Sequence, residues 1–427
     1  MHNSPMTTLP DDLSHQAIKG VNFAQSAAKL GARKFRDRIQ ESRLPADFYP
    51  QATDEFVAAS YFGVGMDSVY QLEQWIWPFE QLEAELKDLG LSDHPFGIIV
   101  RSPIVAKHLS KVTHLPVRFS RLTRGLDDFM TSSSLRAVFY VNQGTPNFQA
   151  LRYPGPAHVH LSHGESEKIS MISNQLKAYD YVFTAGQAAR DRIERTLFGI
   201  DVANMLDVGR PQLDRPRSIP DVWHEFAATE SDGRVVFFAP TWEGDSEAMA
   251  YGSLVHNGEA VVTSLLDAGY RVIFRPHPRT GVMNHDFAKA LETIEDIIDS
   301  DPRALLDRTP DVSWQFDIAD VAVAEVSSVA YDWLSSKKPL VMVEPHNSGA
   351  EVLAGGLLDS CPRLRPEGGD DIVDLIAQAE AQNDAAARLS DHYLGDTAPG
   401  AQIARYVESS KIVIERRTEE RRLKLEA

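Results

Sequence analysis

The chain has 427 residues, more than one hydrophobic core normally supports, so two domains are expected. With 43% hydrophobic and 24% charged residues it reads as a folded globular protein, and no apolar run approaches the ~20 residues that span a bilayer. A net charge of -18 argues against broad nucleic-acid binding, and a single cysteine, Cys361, excludes an intrachain disulfide and a thiolate metal cluster. The first residues lack the basic-then-apolar pattern of a signal peptide, so a cytoplasmic protein is expected.

In chain order, residues 1–60 are polar with short helical patterns, and the first dozen read as disordered. Within them, residues 15–43 carry seven basic residues (Lys19, Lys29, Arg33, Lys34, Arg36, Arg38, Arg43) against Asp37 and Glu41. Phe23, Ala27, Leu30, Phe35 and Ile39 recur there at near-helical spacing. Such a helix either packs on the protein's own body or lies on an anionic surface, which leaves peripheral contact with the inner face of a membrane open. Leu72, Trp75, Ile76, Phe79, Leu82 and Leu86 predict a helix ending near residue 89. Apolar runs at 96–100, 137–141, 158–161, 181–184 and 205–208 predict strands. Helical patterns at 165–178 and 187–197 lie among them. The proline-rich, charged stretch 211–220 reads as a linker. Strands are then expected at 235–239, 271–274, 297–299, 321–324 and 340–343. Helices are expected at 258–268, 285–292, 329–335 and 371–380, with a charged helix at 401–425. The alternation predicts an α/β protein with two Rossmann-like domains facing across a cleft. The expected division is a helical segment 1–60, a first domain 61–215, a second domain 221–400 and a C-terminal helix 401–427.

Two turns carry most of the chemistry. Ser162-His163-Gly164 follows one strand, and Arg275-Pro276-His277-Pro278 follows another. Ligands of open α/β sheets bind beyond the carboxyl ends of strands, and a histidine there can move a proton near neutral pH. Gly164 permits close approach of backbone to a ligand, and Lys168 follows in the next turns. Arg275 and Arg279 flank His277 and suit a pyrophosphate. Thr241, after the strand at 235–239, can donate to a ligand, with Trp242 beside it. In Glu325-Val326-Ser327-Ser328 a strand passes into a helix whose free N–H groups favour an anion. Ser327 or Ser328 would cap that helix, and Glu325 would accept bonds from a ribose or an acceptor hydroxyl. His158, His160 and His163 have the spacing of the metallo-β-lactamase His-x-His-x-Asp-His signature, but Ser162 stands where the Asp would be, and no metal or other cofactor is expected.

In order, His163-Gly164 with Lys168, Asp207-Val208-Gly209-Arg210-Pro211-Gln212-Leu213-Asp214, Ala239-Pro240-Thr241-Trp242, Arg275-Pro276-His277-Pro278, and Ser327-Ser328-Val329-Ala330-Tyr331-Asp332 with Lys338-Pro339 resemble the CDP-glycerol glycerophosphotransferase family of teichoic acid synthesis. The resemblance implies a GT-B fold in which the second domain binds the donor. It also implies transfer of glycerol phosphate or ribitol phosphate from a CDP-alditol to a hydroxyl of a lipid-linked polymer, with release of CMP. His163 falls at the family's base and His277 at its second essential histidine. Ser327 and Ser328 fall on the pyrophosphate turn, with Gly209, Arg210 and Asp332 in matching motifs. The chain departs from the family at Glu243, Glu325-Val326 and Arg210-Pro211. It also has Glu165-Ser166-Glu167 where Thr-Pro usually leads to the lysine. A GT-B glycosyltransferase or nucleotide-sugar epimerase shares the same fold and phosphate turn.

Overall fold

The computed structural model describes residues 38–168, 171–228, 233–310 and 312–426. Of the basic stretch 15–43 only 38–43 are among them, so the amphipathic helix expected there lies outside the described residues.

Seven parallel strands form the first sheet: β1 (Ala58–Phe62), β2 (Phe96–Val100), β3 (Val117–Phe119), β4 (Ala137–Tyr140), β5 (Ala157–His160), β6 (Tyr181–Thr184) and β7 (Met205–Asp207), in the order β3-β2-β1-β4-β5-β6-β7. Six more form the second: β8 (Val235–Ala239), β9 (Arg271–Phe274), β10 (Ala304–Leu306), β11 (Val321–Ala324), β12 (Leu340–Val343) and β13 (Arg363–Leu364), in the order β10-β9-β8-β11-β12-β13. Helices cover both faces, so the strands bury residues on both sides and read as continuous apolar runs rather than alternating ones. Each sheet reverses its direction of winding once, between β1 and β4 and between β8 and β11. Those reversals leave a crevice at the strands' carboxyl ends.

The structure corrects several expected elements. The boundary expected at 60/61 falls inside β1, an Ala-Ala-Ser-Tyr-Phe strand whose small residues hid it. Residues 297–299 belong to the helix His285–Ser300, which turns Ile294 and Ile298 into the core at helical spacing. Among the described residues no long helix directly follows His163. The described part of 165–178 is extended chain and a 3-10 turn, Asn174–Ala178. Its Glu165 and Glu167 are drawn into buried contacts with distant residues.

The helix Ala401–Glu426 returns to the first sheet. Its Tyr406 packs on Trp75, Phe139 and Phe183 with ring centroids 5.4, 6.2 and 6.3 Å apart. Aromatic pairs of this kind contribute about 0.5–1.5 kcal/mol each beyond area burial. The same helix orders the crossing between the halves: Gln402 accepts from the Arg210 N–H (2.8 Å), and Asp214 accepts from the Ile403 N–H (2.8 Å). Gly209 sits at φ 73°, and a Cβ there would lie 2.6 Å from Arg405 Nη2 and 2.8 Å from Gln402 Oε1, so only glycine fits.

Candidate active site

A cavity of about 530 Å³ opens between the two sheets at their carboxyl edges. From the first half it is lined by His163, Gly164 and Lys168, and from the second by Thr241, Trp242, His277, Ser327 and Ser328. Eight of the sequence-predicted residues therefore meet in one space. At Gly164 the halves come close, since a Cβ on it would lie 3.2 Å from the Ser328 Cβ.

His163 is aimed by strain. Ser162, just before it, adopts the left-handed conformation at φ 63°, unusual for a residue with a side chain. Two bonds hold that turn: Trp75 Nε1–H donates to the Ser162 carbonyl (2.7 Å), and Ser162 Oγ donates to the Gly164 carbonyl (2.9 Å). Burial, then the charges of Arg210 and Lys168, push the His163 pKa down to about 4, against a hydrogen bond to the Val141 backbone that raises it. The ring is neutral at pH 7. A ring that donates one nitrogen to a backbone carbonyl presents the other as an acceptor.

His277 has the opposite polarity. Its Nδ1 accepts the Arg279 N–H (3.1 Å), so the neutral ring carries its proton on Nε2 and acts as a donor. Burial, followed by Lys168 and Arg279, pushes its pKa down to about 4. The ring stacks on Trp242 (centroids 6.1 Å, 22°), and the Arg279 guanidinium lies 3.7 Å from the centre of the Trp242 ring. Ser327 stands at the N-cap of Ser328–Trp333 but does not cap it. Its Oγ is buried and makes no hydrogen bond among the described residues. Lys168 forms no ion pair among the described residues; its ammonium lies 4.8 Å from the centre of the Tyr251 ring. Burial lowers its pKa, with Glu325 and then Asp245 opposing.

Five predicted residues do not line the cavity. Arg275 is committed to Asp307 (2.6 Å), whose side chain is 0% exposed, so it is not free for a phosphate. Arg210 and Asp332 form a buried pair between the halves (2.8 Å), and Gly209 shapes the crossing beside them. Glu325 is fully buried and accepts from the Thr241 N–H (2.7 Å), the Ser253 N–H (2.7 Å) and the Ser253 hydroxyl. Burial pushes its pKa up to about 7 against those bonds. It shapes the loop that presents Thr241 rather than meeting a ribose. Glu243 likewise organises backbone, accepting from the N–H groups of Gly281 (3.0 Å), Met283 (2.7 Å) and Asn284 (3.0 Å) beside His277. His158 is a satisfied core histidine, bonded through Nδ1 to the Tyr140 hydroxyl and through Nε2 to the Tyr153 carbonyl (both 2.8 Å), which takes both nitrogens away from any metal. Among the described residues no three His, Cys, Asp or Glu side chains converge as ligands.

Asn142, Gln143 and Gly144 also line the cavity and were not anticipated. Their signal was available: they follow β4 as Ser162-His163-Gly164 follows β5.

Residues 153–348, from just before β5 to just after β12, match the family described as CDP-Glycerol:Poly(glycerophosphate) glycerophosphotransferase. That segment, a little under half of the chain, is what this protein shares with CDP-glycerol glycerophosphotransferases. All eight cavity residues predicted from the sequence lie within the family segment, whereas Asn142, Gln143 and Gly144 precede it. No curated protein matches this chain by sequence. Among solved structures, the wall teichoic acid polymerase TagF superposes with a TM-score of 0.55 at 13% identity, over 94% of this chain and 98% of that one. A putative UDP-N-acetylglucosamine 2-epimerase from Listeria monocytogenes gives 0.56 at 10%, over 83% and 96%. A glycosyltransferase from Rickettsia africae gives 0.52 at 12%, over 84% and 99%. At these identities the likeness establishes the fold, which is of the GT-B type. Among the described residues no helix is long and apolar enough to cross a membrane.

Proposed function

We propose that the cleft transfers glycerol phosphate or ribitol phosphate from a CDP-alditol to a hydroxyl of a lipid-linked, teichoic-acid-type polymer. The supporting observation is the joining, in one cavity, of an acceptor imidazole from the first half with a donor imidazole and an unpartnered serine hydroxyl from the second. The acceptor oxygen attacks the β-phosphorus, its proton passes to His163, and the bond from that phosphorus to the bridging oxygen breaks. CMP leaves. Lys168, Arg279, the His277 Nε2–H and Ser327 balance the phosphate charge, and phosphoryl transfer depends mainly on such positioning and charge stabilisation. Because protein groups supply that charge, activity is expected without an added divalent ion. A bound diphosphate offsets Lys168 and raises the His163 pKa from about 4, strengthening the base when the donor is present.

The test is CMP release by the purified protein from CDP-glycerol, with CDP-ribitol and UDP-sugars in parallel, a lipid-linked acceptor analogue and excess EDTA. Acceptor-dependent CMP release is the expected result. Turnover of a UDP-sugar with neither CDP-alditol consumed would replace the proposal with a glycosyltransferase or epimerase.

A further inference from the structure

The segment that carries Lys168 leaves the first sheet but is held by the second half. Lys168 forms an antiparallel bridge with Val352, and its ammonium rests on Tyr251. Immediately before it, the buried carboxylate of Glu167 accepts three bonds from the second half. Leu357 N–H (2.9 Å) and the Tyr331 hydroxyl (3.1 Å) donate to Oε2, and the Tyr393 hydroxyl donates to Oε1. A Cβ on Gly356 would overlap the same carboxylate, so the backbone is shaped to admit it. From the other side Arg192, on the helix Gln187–Thr196, pairs with Glu165 and lies 3.8 Å from Glu167 Oε1. Burial raises the Tyr393 pKa, and Glu167 adds to that, which keeps the hydroxyl a donor.

Within this cluster Glu165 lines the cavity. Glu167 does not line the cavity. Its consequence falls on the next residue, whose side chain brings a cation without an ion-pair partner among the described residues into the cleft. A lysine has four rotatable carbons, and its backbone must be fixed before its charge can be.

We propose that Glu167 is a positioning residue: anchored in the second half, it holds Lys168 where the donor's diphosphate binds. The inference rests on the donor reading above. It assigns a role to the acidic run Glu165-Ser166-Glu167 that leads from His163-Gly164 to Lys168.

The experiment is a double-mutant cycle on the full-length protein, with calorimetric titration of CDP-glycerol into wild type, Glu167→Gln, Lys168→Ala and the double variant, alongside steady-state kinetics. Each single variant is expected to weaken donor binding roughly tenfold, as for a lost charge-assisted contact. The double variant is expected to bind no more weakly than Lys168→Ala, because Glu167 acts only through Lys168. In Glu167→Gln the KM for donor rises while kcat at saturating donor and the KM for acceptor hold. Tyr393→Phe, which removes one donor to the carboxylate and keeps the ring, moves donor affinity the same way by less and serves if Glu167→Gln does not fold. Wild-type donor affinity in both Glu167→Gln and Tyr393→Phe, or additive losses in the double variant, would overturn the inference. Absence of CDP-glycerol binding by the wild type would overturn the donor reading itself, and the inference with it.

Discussion

Replacing His163 by Asn separates base catalysis from binding. The ring is neutral at pH 7, with its pKa pushed to about 4, so only about one molecule in a thousand carries a charge there. Its removal therefore takes no attraction away from an anionic donor. It takes away the proton acceptor, and general bases contribute ~10²–10⁴-fold, or about 2.7–5.4 kcal/mol of barrier. Turnover of CDP-glycerol should fall by that factor while the Kd for CDP-glycerol, by calorimetry, stays within about threefold. The pH profile is the sharper check. Protonation disables the base, so kcat/KM should hold from pH 7 down to about 5 and fall as pH approaches the free-enzyme value near 4. The limb in kcat should lie at higher pH, because bound diphosphate favours the charged ring. Lys168→Met removes one of the two cations that depress this pKa and should move the kcat/KM limb upward. An acid limb at pH 6.5 or above in wild-type kcat/KM, or equal losses of turnover and donor affinity in His163→Asn, would refute the assignment.

Arg275→Met should cost about 3–5 kcal/mol of stability by stripping a partner from the buried Asp307, with CDP-glycerol affinity unchanged; chemical denaturation and calorimetry read the two quantities, and full stability with weakened donor binding would return Arg275 to the phosphate. Asp332→Asn leaves the Arg210 guanidinium buried and unpaired, for a similar loss. Arg210→Met together with Asp332→Leu should recover much of it, which a denaturation series would show. Ser327→Ala removes a hydroxyl that bonds nothing among the described residues, so stability should hold while donor affinity falls roughly tenfold; unchanged affinity would remove Ser327 from the site.

What could be read from the sequence is what a short stretch of chain determines. A strand passing into a polar turn placed His163, Gly164, Lys168, Thr241, Trp242, His277, Ser327 and Ser328 at the cleft, and each lines it. Charge was legible only as type. Arg275, Arg210 and Glu325 look like ligands of an anion or a sugar, but each is bound to a partner 32, 122 or 72 residues away in the chain. No local pattern carries that information. The weak strands were hidden for a related reason. β3, β10 and β13 have three, three and two residues, too few for periodicity, and their extended form comes from pairing with a longer neighbour.

The three histidines in and just beyond β5 show why residue type alone could not assign chemistry. His158 spends both nitrogens on Tyr140 and Tyr153, and His160, two residues on, is buried and pushed down to about 3 with its Nδ1 unbonded. Only His163, past the strand end, combines a backbone bond on one side with the cavity on the other. His277 is depressed to the same pKa by the same kind of burial among cations, yet it has the reverse polarity because Arg279 donates to its Nδ1. Two neutral imidazoles in one cleft thus become a proton acceptor and a hydrogen-bond donor through the backbone group each one meets, and a transfer that begins by deprotonating a hydroxyl and ends by holding phosphate charge uses one of each.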